Sequence, residues 1–435
     1  MNKIIIMVLA VTLFAACKSK TDNQQVTDPS APKKVEVKSK DGKYRLYVNN
    51  KEFYIDGAGC EFGNIEKLAE HGANSFRTWR TENGRQSCKE VLDLAQKNGL
   101  MVMMGLEIKR ERHGFDYNNA DSVKAQLEYV RSEVVKYKDH PALLGWGIGN
   151  ELNLGAANPK VWDAVNEISK MIHQIDPNHP TTTMLAGIGK NEIDYIKTNC
   201  TDIDFICIQM YGDIVNLQQR IADAGWNGPY VVTEWGATGH WEVRTTEWGA
   251  PIEETSQEKQ SSFLHRYDVA IASDTLHCMG SYAFLWGQKQ ERTPTWYGMF
   301  LESGEETEIV DAMHKIWTGN WPENRCPALD SLRINGKQAF DNVYLKPSEK
   351  FEALAAAHDF ENDSLTYRWE VLPESTDLGW GGDFESRPET LLHKVGDPKM
   401  SLEAPKTPGN YRLFIYVTDG KGHAATANIP FCVKK

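Results

Sequence analysis

The sequence predicts an α/β protein, a (β/α)8 TIM barrel followed by an immunoglobulin-like β-sandwich domain, and three observations predict it. Between about residues 44 and 319, short apolar or β-branched runs alternate eight times with longer segments of helical period, the count and length of an eightfold barrel. Polar and aromatic residues gather where those runs stop, as they do at the C-terminal mouth of such a barrel. After Trp321-Pro322 the helical period disappears, and short alternating runs are separated by turn residues such as Asp419-Gly420 and Lys421-Gly422.

Composition agrees and excludes several classes. A chain of 435 residues is long enough for two domains. Its 48 basic and 60 acidic side chains leave a formal charge of -12 and no basic stripe for phosphates, so no nucleic-acid partner is expected. With 41% hydrophobic and 25% charged residues it is not a disordered chain. The 13 Trp suit either a large core or stacking on flat apolar faces such as sugar rings.

In chain order, residues 1–16 read as a signal peptide: Lys3, an apolar run from Ile4 to Leu13 too short for a bilayer, then Ala15-Ala16. The ending Phe14-Ala15-Ala16-Cys17 resembles a bacterial lipobox, with Phe14 where Leu is usual. That resemblance implies lipidation of Cys17 and an outer-membrane lipoprotein of the bacterial cell envelope; ordinary secretion with Cys17 incidental is the alternative. Residues 17–34 are polar and aperiodic with Pro29 and Pro32, the composition of a flexible tether. Lys18-Ser19-Lys20 lacks the acidic character associated with surface export and leans toward the periplasmic face.

Residues 35–321 form the expected barrel. Its strand candidates are 53–61, 73–80, 100–108, 143–151, 181–187, 204–211, 230–235 and 279–286, and its clearest helices 122–138, 160–175, 215–224, 256–271 and 309–317. Their C-terminal ends carry Glu61, Arg77 to Arg80, Glu107, Asn150-Glu151, Tyr211, Glu234-Trp235 and Trp286. Residues 322–435 form the expected sandwich, which lacks the Cys…Trp…Cys spacing of true immunoglobulin domains, has Trp369 as a core candidate and holds no catalytic constellation. Besides Cys17 there are Cys60, Cys88, Cys200, Cys207, Cys278, Cys326 and Cys432; none has CxxC spacing or a His cluster, so no metal site and no cofactor is implied. Most read as small buried hydrophobes, and a Cys326–Cys432 bridge is left open.

Glu151 and Glu234 end the fourth and seventh strands, so both carboxylates can point at one bond from different sides of the mouth. Glycosidic hydrolysis needs that pair, one carboxyl protonating the leaving oxygen and the other attacking or stabilising the oxocarbenium-like carbon. Glu61 and Glu107 are as readily salt-bridge partners as ligands. Trp235, Trp241, Trp248 and Trp296 are each either sugar platforms or loop core, and His240 reads as a loop hydrogen-bonder.

Asn150-Glu151 on strand four with Glu234 on strand seven resembles the large clan of retaining β-glycosidases that includes the family 2 and family 5 enzymes. The resemblance implies that Glu151 is the acid/base and Glu234 the nucleophile, that Asn150 holds the sugar 2-hydroxyl, and that Arg77 and Tyr211 hold the nucleophile, with Arg80 competing for the Arg role. It implies Trp286 as the floor beneath the reacting sugar. The layout of lipoprotein signal, barrel without preceding jelly roll, and immunoglobulin-like domain is similar to glycoside hydrolase family 158, lipid-anchored enzymes that cut β-1,3-glucan internally. The implied partner is a laminarin-type β-glucan, acted on by a monomer at the membrane; a β-mannanase or another β-glucanase or β-glycosidase of the same clan is the runner-up, and a glycan-binding lipoprotein without catalysis is the non-enzyme alternative.

Overall fold

The computed structural model describes residues 30–435. The signal peptide, Cys17 and most of the tether lie outside the described residues. The chain first forms an antiparallel meander, Val35–Lys40, Lys43–Val48 and Lys51–Phe53, within the stretch expected as the start of the barrel. Its turns are Asp41-Gly42 and Asn49-Asn50, all at positive φ, the geometry tight hairpins require.

Eight parallel strands then close on themselves: β1 (Ile55–Gly59), β2 (Ser75–Arg77), β3 (Met101–Leu106), β4 (Leu143–Asn150), β5 (Thr181–Ala186), β6 (Phe205–Gln209), β7 (Tyr230–Glu234) and β8 (Cys278–Ala283). Each is shorter than, or offset from, its sequence expectation by a few residues. β3, β6, β7 and β8 are buried at every position, as strands covered on both faces must be. Helices α1 (Ile65–Glu70), α2 (Cys88–Lys97), α3 (Ala120–Tyr137), α4 (Lys160–Ile175), α5 (Lys190–Asn199), α6 (Leu217–Ala224), α7 (Ser256–Arg266) and α8 (Glu308–Thr318) surround them. Capping boxes Ser87/Glu90 and Thr255/Glu258 start α2 and α7 by satisfying orphan backbone donors. The segment expected as one helix over 256–271 changes to π-helical winding at Tyr267–Ala272.

At the N-terminal end, Met101, Met103, Met184, Phe205 and Met279 fill the barrel, and Val35 and Leu46 of the meander cap that cluster. The meander is fastened to the same end through Val35 N to Asn178 O (2.8 Å) and Tyr44 N to Leu276 O (2.7 Å).

The second body is a sandwich. A sheet of Ala328–Ile334, Lys350–His358 and Lys399–Glu403 faces a larger one built on Thr366–Pro373, Leu392–Gly396, Gly409–Thr418 and His423–Val433. Trp369 is fully buried in the core between them. Glu306–Thr307, just before α8, pairs with His423–Val433, so the barrel lends this sheet an edge strand. Across the junction the buried Lys259 pairs with Glu253 at 2.6 Å, Asn428 Nδ2 donates to Glu253 at 2.6 Å, and Arg412 donates to Asn428 at 2.7 Å and Pro251 O at 2.9 Å. The buried charges of Lys259, Glu253 and Arg412 thus each have a partner, which is what makes burying them tolerable. The seven cysteines among the described residues are all free, so the Cys326–Cys432 bridge does not form. Among the described residues no helix is long and apolar enough to cross a membrane.

Candidate active site

The barrel's C-terminal mouth holds a cleft of about 1200 Å³, larger than the roughly 300–1,000 Å³ of an ordinary small-ligand site. Glu151 and Glu234 both line it. The strands that carry them are irregular at those ends: the β4–β5 register shifts between Gly147 and Asn150, and the β6–β7 register between Val232 and Glu234. Such bulges re-aim a side chain at a sheet's rim. Glu151 itself has φ +51, a left-handed conformation that is costly outside glycine, and its N–H donates to Met184 O at 3.0 Å.

Glu234 is held from four sides. Its Oε1 accepts from Arg77 Nη1 (3.2 Å), Trp79 Nε1 (2.9 Å) and Gln209 Nε2 (3.1 Å), and its Oε2 from Tyr211 Oη (2.9 Å). Burial first and the Glu234 charge second push the Tyr211 phenol well above its usual range, so it stays a donor. Asn150 Oδ1 accepts from Arg77 Nη2 (2.7 Å) and Gln209 Nε2 (2.8 Å), which fixes the amide and leaves its amino end to offer a ligand. Trp79 and Gln209 were not singled out from the sequence. Gln209 carried a signal, being a polar residue closing the apolar run Phe205-Ile206-Cys207-Ile208; Trp79 lay unremarked between Arg77 and Arg80.

Glu151 has the opposite environment. Desolvation in the cleft, then the charge of Glu234, raise its pKa above the usual carboxylate range, against Arg110, Arg77 and Arg112. Arg110 reaches it from the loop after β3, with Nε donating to Asn150 O at 3.1 Å.

The remaining sequence candidates divide. Arg80 pairs with Glu61 at 2.5 Å, away from Glu234, so Arg77 alone takes the Arg position. Glu107 lines the cleft exposed. Trp241 lines it at 60% exposure, its edge against Tyr211. Trp235 does not reach it: the indole is fully buried against Phe263 and Tyr267 outside the strand ring. Trp296 is core too, donating to Thr238 O at 2.9 Å, and Trp248 packs on Tyr344 of the sandwich. Burial and nearby Arg292 and Lys289 depress His240 to about 4, so it is neutral at pH 7.

Trp286 is a correction. Although it borders the cleft, it is 0% exposed, its Nε1 donates to Asn64 O at 2.8 Å, and its ring packs against His71, Phe300 and Trp317, so it offers no open face to a sugar. β8 stops at Ala283, and the next residue, Phe284, borders the cleft between Trp79 (5.9 Å) and Tyr211 (6.0 Å). Phe284 is therefore the ring after strand eight that packs beside the two aromatic partners of Glu234.

Comparison with known proteins gives concordant results. Residues 62–289 match the model of "Glycosyl hydrolases family 2, TIM barrel domain". Among curated proteins the chain is similar to mannan endo-1,4-β-mannosidase F of Aspergillus clavatus, 27% identical over 150 residues, covering 31% of this chain and 34% of that protein. It is also similar to β-glucuronidase of Sus scrofa, 23% identical over 258 residues, covering 52% and 37%. The chain thus spans about a third of these relatives' length. A calcium-binding mutant of Bacteroides uniformis β-glucuronidase 2 has a similar fold over 92% of this chain and 48% of that one, with a TM-score of 0.51 and 12% identity. The match to the family model covers more than half of the chain, and this protein belongs to the glycosyl hydrolases of family 2, through their TIM barrel domain.

Proposed function

We propose that this protein is a retaining glycoside hydrolase that cuts a β-linked polysaccharide within the chain, and that the polysaccharide is a laminarin-type β-1,3-glucan. One observation carries the hydrolase reading: Glu151 and Glu234 line one cleft in opposite environments, the first pushed toward its protonated form and the second fixed by four donors. A protonated carboxyl beside a fixed carboxylate is the equipment of double displacement. Glu151 gives its proton to the leaving oxygen while a Glu234 oxygen bonds to the anomeric carbon; Glu151, now a base, takes a proton from water, which releases the sugar from Glu234 with its configuration retained. Asn150 holds the 2-hydroxyl and Phe284 and Trp241 bound the sugar.

The β-1,3 linkage is supported by the likeness of domain layout to family 158. A second reading, β-1,4-mannan, is favoured by the endo-mannosidase relative. The same proposal makes the protein a monomer, lipidated at Cys17 and held on the bacterial outer membrane.

The test is the product profile on laminarin, β-mannan and mixed-linkage glucan, with Glu234→Gln as control. Oligosaccharides from laminarin alone support the glucanase reading, and oligosaccharides from mannan alone replace it with the second. Tight glucan binding without any cleavage would leave a glycan-binding lipoprotein.

A further inference from the structure

The hairpin between Thr366–Pro373 and Leu392–Gly396 is joined by residues 374–391, far more than the roughly 2–5 of an ordinary hairpin and of the length that serves function when ordered. This connection leaves the sandwich and crosses the barrel mouth. On one side Arg292 donates through its backbone N to Glu385 (2.6 Å) and its side chain pairs with the same carboxylate (3.1 Å), while Lys289 donates to Gly382 O (2.8 Å). Both residues follow β8. On the other side Arg112, which follows β3, grips Asp383 bidentately (2.8 and 3.2 Å) and donates to the Trp380 and Gly381 carbonyls.

The tip also presses on the loop after β4. A Cβ at Gly155 would meet the Trp380 ring at 2.4 Å, and one at Gly381, φ +61, would meet Leu154 at 2.4 Å. In a closed ring of eight, β8 lies opposite β3 and β4. The connection is therefore a strap over the mouth, fastened at both rims by ion pairs.

The cleft continues on both sides of it. Phe62 and Arg80, after β1 and β2, and Asp213 and Trp241, after β6 and β7, line one cavity together with Trp380 and Phe384 of the strap. Those two strap aromatics face solvent at 56% and 85% exposure, so both offer apolar area at the cleft. The Trp380 ring lies beside Arg112, with an edge on Gly155, and more than half of the residue is exposed.

Resting on the hydrolase reading above, we propose that the strap is a substrate-binding roof: a β-linked sugar chain reaches the carboxylates by passing beneath it, with Trp380 and Phe384 stacking on sugar units beyond the one being cut. The sandwich domain thereby confers preference for long chains.

The experiment compares kcat/KM on β-1,3-gluco- and β-1,4-manno-oligosaccharides of two to six units for the wild type, Phe384→Ala and Trp380→Ala. The wild type is expected to gain tenfold or more from shortest to longest, and each variant less than threefold. Phe384 packs on little, so its removal leaves folding intact if Trp380→Ala does not. In a Glu234→Gln background, hexasaccharide affinity followed by tryptophan fluorescence should weaken tenfold when Phe384 is removed. Variants that keep the wild-type length dependence and affinity overturn the roof, as does a wild type indifferent to length. If no oligosaccharide is cleaved by any protein, the hydrolase reading fails, and the affinity measurement still decides the strap.

Discussion

The two ends of the barrel are made by the same eight strands and differ in almost every other respect. At the N-terminal end the interior is methionine, phenylalanine and valine, sealed by the meander. At the C-terminal end, a strand length away, Arg77, Asn150, Gln209, Tyr211 and Glu234 are joined in one hydrogen-bond network, and Glu151 lines the same cleft. The register slips there and one residue sits at positive φ. One end spends its residues on burying area, and the other holds charges close together at a cost in stability. Substitutions at the two ends should therefore fail in different ways.

The largest effect is expected at the polar end. Glu234→Gln removes the attacking carboxylate and should lower kcat on polysaccharide about 10⁴-fold or more, as loss of a nucleophile does elsewhere. Its melting temperature should stay at or above that of the wild type. A variant that loses activity and melting temperature together would erase the contrast between the ends.

Phe205→Ala reverses the pattern. The side chain is 1% exposed in the plugged end, and its removal should cost about 3–5 kcal/mol, read as a lower urea midpoint. The kcat of the molecules that remain folded should stay within about twofold, since no atom of Phe205 reaches the cleft.

The smallest effect sharpens the cost of the polar end. The Glu151 carboxyl is raised above its unfolded value, so its protonated form is favoured by folding. Its stabilising contribution is complete below the ordinary glutamate pKa of about 4.3 and is lost as pH rises through the raised value. Glu151→Gln should thus melt with the wild type near pH 4 and progressively above it as pH increases. The same proton sets the alkaline limb of activity, because hydrolysis needs Glu151 protonated; that limb should fall above the ordinary carboxylate range. A melting gap that narrows with pH would mean that Glu151 is held as a carboxylate instead.

The plan of the barrel was legible because buried parallel strands are written as continuous apolar runs, and a Glu at the end of such a run stands out. Finer placement depended on where each strand stops, which residue type does not record. Trp286 and Phe284 differ by two positions and both border the cleft, but the early end of β8 at Ala283 leaves the phenylalanine beside Tyr211 and encloses the tryptophan in the core. Trp235 follows Glu234 directly, and adjacent side chains on a strand face opposite ways, so the residue after an inward glutamate packs outward on α7. The meander announced itself only through Asp41-Gly42 and Asn49-Asn50. The strap left a trace in Gly379-Trp380-Gly381-Gly382, but nothing in those residues says that they touch a barrel loop more than two hundred positions earlier.

The fastening of the meander has a geometric consequence. Ser30 to Lys34 run into a strand whose first N–H is bonded to Asn178, before β5, so the chain enters the molecule at the sealed end of the barrel. The cleft opens on the opposite end, so a long polymer can approach the carboxylates without meeting the segment through which the chain enters.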